Sequence, residues 1–333
     1  MEAYQREDSS KVYIIDIVRF AACLMIFFYH CNSLLPGEFK FLTFFGEDMG
    51  NNLFFMLSGF ALYPSIESTS FKELPAWYIR RLKRILPMLA FFYILSYLTG
   101  YYSFKSPQQL FTVFIYPTLY WFATGILVFY LILFVLMKAR PKLIRQLAAA
   151  ALMLLWILRA DKMEGYYLIG FVSMLAGCVL REYLENRREL KGDTPIDKGL
   201  MTSFAASFLV YIIFKYFKFT GQTSIYIYIA VGAAVLATCL TALAAGYLGN
   251  KGFRTFFEGK EGLARFISYT GSLALPVYLV QSFNSGLIGF MLGQKIKFPK
   301  SFAVNFIVIW GAAIAVERAQ SFLLGKINRQ HRA

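Results

Sequence analysis

Three ionisable side chains stand inside the first apolar run of this 333-residue chain: Asp16, Arg19 and His30. An ionisable group inside a bilayer costs at least about 2.5–3.5 kcal/mol near the centre, so each requires a reason. On a helix, the eleven steps from Arg19 to His30 return within about 20° of the starting direction and rise about 16 Å. The two side chains therefore share one face. Asp16 precedes Arg19 by three residues, close enough to pair with it and lower its burial cost. A cation toward the inner end and a titratable imidazole toward the outer end look like two ends of a path across the membrane. The alternative is an Asp16–Arg19 pair snorkelling to the interface, with His30 among headgroups beside Tyr29 and Asn32.

A second pattern is Trp77-Tyr-Ile-Arg-Arg-Leu-Lys-Arg-Ile-Leu-Pro87, which holds Arg80, Arg81, Lys83 and Arg84 within five positions. Arg81 and Arg84 are three apart and face the same way on a helix. Guanidinium forks bind phosphate bidentately, so the pair suits a phosphate-bearing ligand. A polybasic anchor for anionic lipid is the competing reading.

These residues need elements to position them. The chain is 58% apolar and 16% charged, whereas soluble domains carry about 45–50% and about 25%. It reads as an all-α polytopic membrane protein. Ten apolar runs bounded by charges, Pro or Gly are assigned as spans: 13–35, 50–66, 85–103, 111–137, 144–158, 165–181, 199–216, 224–248, 271–293 and 301–323. With both termini cytoplasmic, most of the 34 Lys and Arg fall on the cytoplasmic side, as the positive-inside rule requires. The weakest run is 144–158, but dropping it would turn the basic loop after residue 181 outward. The net charge of +15 is thus a topology signal, and no nucleic-acid partner is expected.

The expected organisation is a cytoplasmic segment 1–12, a single transmembrane domain 13–323 and a cytoplasmic tail 324–333. Cys23, Cys31, Cys178 and Cys239 all fall in apolar runs without a C-x-x-C pair, and read as small buried residues. With His30 and His331 the only histidines, a histidine-rich metal site is excluded and no metal is expected. Nucleotide-loop and serine-hydrolase motifs are absent from the sequence.

Ile15-Asp-Ile-Val-Arg-Phe-Ala-Ala-Cys-Leu-Met-Ile-Phe-Phe-Tyr-His30 resembles the opening helix of the type-3 membrane acyltransferases. Gly50-Asn-Asn-Leu-Phe-Phe-Met-Leu-Ser-Gly-Phe60 resembles that family's second-helix motif, and Arg80–Pro87 its third-helix basic motif. Pro117-Thr-Leu-Tyr-Trp-Phe122, followed by Tyr130, is similar to the fourth-helix entry. Ser268-Tyr-Thr-Gly-Ser-Leu-Ala-Leu-Pro-Val-Tyr-Leu-Val-Gln281 is similar to the motif near the ninth helix. The matches keep their order from residue 13 to about 320. Three positions depart. Asn52 stands where many members have Asp, Ile126 and Leu127 where saccharide-modifying members often have paired Glu, and Gln281 where many have His.

The resemblance implies a multi-pass enzyme of the cytoplasmic (inner) membrane. It would move an acyl group, usually acetyl, from cytoplasmic acyl-CoA (acetyl-CoA) to a hydroxyl of a cell-surface saccharide or related acceptor. Arg81 and Arg84 would hold the donor's phosphates, with Arg80 and Lys83 as lesser contributors. Arg19, paired with Asp16, would line the donor's route, and His30 would act as general base. Glu47 and Asp48 are the nearest carboxylates that could support His30. Together with Asn52, Trp121 and Gln281 they form the candidate acceptor contacts. Trp121 also suits an interfacial aromatic belt, and Ser58, a possible acyl carrier, better suits helix packing. Glu317 and Arg318 read as structural. A transporter or flippase of a lipid-linked saccharide is the competing function, since buried Arg and His also suit substrate paths; it calls for paired broken helices, and no internal repeat is visible.

Overall fold

The computed structural model describes residues 10–98, 121–139, 142–191, 198–222, 224–248, 260–281 and 299–330. Among these residues the regular structure is entirely helical. The helices are α1 (Ser10–His30), α2 (Asn51–Glu67), α3 (Leu74–Leu98), α4 (Trp121–Lys138), α5 (Lys142–Arg159), α6 (Met163–Lys191), α7 (Lys198–Phe219), α8 (Ile225–Leu248), α9 (Glu261–Ser272) and α10 (Lys300–Gln330). A further helical run covers 274–281, after a turn at Leu273. Each of the ten apolar runs is helical over most of its described residues. Among the described residues, four helical segments are long and apolar enough to cross a bilayer: Glu164–Asn186, Lys198–Phe219, Ile225–Leu248 and Lys300–Phe322.

Several boundaries differ from the sequence reading. The first helix ends at His30 rather than near residue 35. The outer segment expected as a loop is a 3-10 helix over Gly37–Phe45, followed by a π-turn over Gly46–Gly50. α3 begins eleven residues before its apolar run, so the basic motif is itself helical. Pro75, second in that helix, needs no N–H there, and Arg and Lys are good helix formers. α6 continues past its apolar run to Lys191, and the first turn of the polar extension is paired. Arg181 Nε bonds Glu185 Oε1 at 2.5 Å, and Glu182 meets Arg145 of α5 at 2.8 Å.

The chain divides into two units. The first comprises Met1–Ala22, Glu47–Phe71 and Phe129–Gly271. Its centre is the α2–α6 pair, where Gly59 faces the Met174 carbonyl and Gly177 faces the Met56 carbonyl so closely that a Cβ at either would overlap it. Small residues let helix backbones approach in this way in a medium without hydrophobic drive. Cys178 Sγ donates to Gly59 O at 3.0 Å across the same seam. Trp156 and Ala160 at the end of α5 pack with Ile169 and Val172 of α6 and with Tyr228 and Ile229 of α8. The helices alternate in direction. The start of α2, the end of α5, the start of α6, the end of α7 and the start of α8 meet at one end of this unit. Lys138 and Arg145 lie at the opposite end, where Lys138 Nζ bonds the Glu67 carbonyl, while the Arg181 guanidinium packs on Phe60 and Tyr247.

The second unit comprises Cys23–Gly46, Lys72–Val128 and Ser272–Ala333. Phe27 packs edge-on against Phe302, Phe306 and Trp310 of α10, with centroids 5.1–5.5 Å apart. Asn305 Nδ2 donates to Cys31 Sγ at 3.0 Å, fixing the turn that follows α1. Gln320 Nε2 donates to the Arg84 carbonyl at 2.7 Å, joining α10 to α3. All four cysteines are buried free thiols, as the apolar reading of these positions expects.

Candidate functional site

The N-terminal half of the first-helix stripe is a three-residue chain of hydrogen bonds. Asp16 is buried, 3% exposed, and its two oxygens have different partners. Oδ1 accepts from Arg19 Nη1 at 3.2 Å, and Oδ2 accepts from Ser268 Oγ of α9 at 2.6 Å. The two helices touch at this point, since a Cβ on Gly271 would lie 2.6 Å from the Asp16 carbonyl oxygen. Phe20 and Phe266 meet edge-on at 6.2 Å beside it. The Arg19 side chain is 32% exposed, and Asp16 is its hydrogen-bond partner among the described residues. One nitrogen is engaged, which leaves most of a five-donor fork for another acceptor. Spacing alone gave the Asp16–Arg19 pair. Ser268 belongs to the motif near the ninth helix, and its contact joins the first and ninth helix motifs directly.

His30 closes α1 as its last residue. It is half-buried, with Tyr29 packed edge-on at 5.6 Å. The Phe27 cluster and the Asn305–Cys31 bond hold the final turn that carries it. Among the described residues no hydrogen-bond partner orients the ring.

In the α3 motif the four basic side chains separate. Arg80, Lys83 and Arg84 are exposed, whereas Arg81 is half-buried with its guanidinium 5.4 Å from the centroid of the Trp77 ring. Such stacking favours Arg and fixes the plane of its fork.

Of the acceptor candidates, Asp48 and Asn52 come together. Asp48, in the π-turn, is bonded by two α7 lysines: Lys215 Nζ at Oδ2, and Lys218 Nζ at Oδ1 at 3.2 Å. Burial pushes the Asp48 carboxyl up, but Lys215 and Lys218 outweigh burial and hold it below the ordinary carboxylate range. Asn52 Nδ2 donates to the Asp48 carbonyl at 2.7 Å. Lys218 also lies 4.8 Å over Tyr228 and 5.7 Å over Tyr166. Asp48, Asn52 and Lys218 line a cavity of about 30 Å³ with Trp156, Tyr166 and Tyr228, room for about one water molecule. Lys215 and Lys218 escaped the sequence reading. Their signal was there: Lys215 interrupts the apolar run Tyr-Ile-Ile-Phe-Lys-Tyr-Phe-Lys218.

Gln281 is 1% exposed, and neither end of its amide has a partner among the described residues. The side chains of Glu47 and Trp121 lie outside the described residues.

A family model described as an acyltransferase domain matches residues 12–316, nearly the whole chain. No curated protein and no solved structure matches it.

Proposed function

This chain belongs to the acyltransferase-domain family that its motifs resemble, the type-3 membrane acyltransferases, and we propose that it is a multi-pass O-acyltransferase of cell-surface saccharides. The donor is cytoplasmic acetyl-CoA, the acceptor is a saccharide hydroxyl at the outer face, and His30 is the general base. The observation that carries this reading is the placement of Arg19 and His30 on the single continuous helix α1, with Arg19 paired to a buried carboxylate and partly exposed.

The chemistry requires one proton transfer and one acyl transfer. His30 takes the acceptor hydroxyl's proton as the oxygen attacks the thioester carbonyl. The carbon–sulfur bond then breaks, and the leaving coenzyme A thiolate takes up the proton that His30 accepted, which restores the neutral imidazole. A positioned base contributes about 10²–10⁴-fold to such a step. Arg81 and Arg84 hold the donor phosphates, and Arg19 contacts a polar group of its arm. The ten-span topology with both termini cytoplasmic is supported by the alternation of α2, α5, α6, α7 and α8. Lys138 and Arg145 lie at the end assigned to the cytoplasm, and Lys218 at the other end is held by Asp48.

The test is thiol release from acetyl-CoA by the purified protein in detergent, with extracted surface glycan as acceptor. Wild-type protein is expected to release thiol and acetylate the glycan. His30→Ala is expected to lose at least about a hundredfold while still binding coenzyme A. Glycan acetylation by His30→Ala at the wild-type rate would overturn the role of His30.

A further inference from the structure

Arg19 takes its direction from a residue that lies far away in sequence. Among the described residues its guanidinium has one hydrogen-bond partner, Nη1 to Asp16 Oδ1 at 3.2 Å, and the side chain is partly exposed. A carboxylate with one such contact turns about its terminal torsion, which has broad and shallow preferences. Here it does not have that freedom. Ser268 Oγ donates to Oδ2 at 2.6 Å, within the range for a hydroxyl donating to a carboxylate. The serine is itself held in place. It is three residues before Gly271, whose lack of a side chain brings α9 onto the backbone of α1 at Asp16.

We propose that Ser268 is a positioning residue for acyl transfer: through Asp16 it sets the plane in which Arg19 presents its remaining donors to the acyl-CoA. The proposal rests on the acyltransferase reading above. Ser268 touches neither donor nor acceptor in this scheme. Without its hydroxyl, Asp16 keeps its charge but loses its orientation, and Arg19 keeps its partner but not its aim. The expected signature is a loss in turnover with little loss of donor affinity, because the phosphates are held elsewhere.

A double-mutant cycle on thiol release tests this. Ser268→Ala is expected to lower kcat about tenfold, the scale of one charge-assisted hydrogen bond, with coenzyme A affinity within twofold of wild type. Ser268→Thr, which keeps the hydroxyl, is expected to retain most of the activity. In an Arg19→Lys background, Ser268→Ala is expected to cost less than twofold, because the planar fork it served is gone. An undiminished tenfold loss in that background would assign Ser268 to packing and overturn the proposal, as would full activity of Ser268→Ala. If Ser268→Ala unfolds, failure of Ser268→Thr to restore turnover in folded protein overturns it equally. Wild-type protein that releases no thiol would refute the acyltransferase reading itself, a result distinct from an additive cycle.

Discussion

Ser173 Oγ donates to Asn52 Oδ1 at 2.8 Å, tying α6 to the start of α2 inside a buried seam. The amide uses both of its ends, because its nitrogen donates to the Asp48 carbonyl. This explains the asparagine at a position where many family members carry aspartate. A carboxylate would present an oxygen to the Asp48 carbonyl and could not donate to it. Asn52→Asp is therefore expected to lower stability by about 1–3 kcal/mol, read as a lower thermal unfolding midpoint in detergent. An unchanged midpoint would remove the structural reason for the departure.

The sequence showed which residues are chemically out of place, and much less of what they touch. Asp16 and Arg19 were legible as a pair because three residues on a helix fix their proximity. Ser268 was not, since 252 positions separate it from Asp16 and only the packing of α9 on α1 brings them together. Asp48 is legible as one of the two carboxylates nearest His30 in sequence, but its bonds to Lys215 and Lys218, some 170 positions away, are not. Apolar runs mark spans rather than whole helices, so the charged first turns of α3 lie outside its span.

Acid should weaken the first unit through Asp48. Its carboxyl is held below the ordinary range by the two lysines, while in the unfolded chain it titrates near about 3.9. A group depressed on folding contributes stability that is fully present above the unfolded value and lost as pH falls through the folded one. The unfolding midpoint should therefore be flat in this respect above about pH 5 and fall at lower pH. Asp48→Asn should be less stable by about 3–5 kcal/mol near pH 7, as when one partner of a buried ion pair is removed. It should also fall less steeply in acid. Parallel acid profiles for the two proteins would show that the pair contributes nothing.

The basic motif should bind the donor unequally. Arg81 is half-buried with its guanidinium over Trp77, whereas Arg84 is exposed. Arg81→Lys keeps the charge over the ring but loses the fork, so it should weaken coenzyme A binding nearly as much as Arg81→Ala does. Replacing both arginines by alanine should cost about ten- to hundredfold in affinity. Dephospho-coenzyme A should lose less affinity than the full cofactor does. Calorimetry in detergent measures all of these, and undiminished affinity of the double variant would make the motif a lipid anchor.

The hydrogen-bond chain at Asp16 separates a lost charge pair from a lost donor contact. Arg19→Ala leaves the buried Asp16 carboxylate with Ser268 as its side-chain partner among the described residues and without its cation, so both stability and activity should fall. Asp16→Asn combined with Arg19→Ala removes both charges. The neutral amide can still accept from Ser268, so most of the stability should return. Activity should not return, because no cation remains at that depth to meet the donor. Arg19→Lys should retain part of the activity, having kept the charge and lost the planar fork. Unfolding midpoints and thiol release on the same four proteins decide the matter: wild-type transfer by the folded double variant would reduce Arg19 to a member of a structural ion pair.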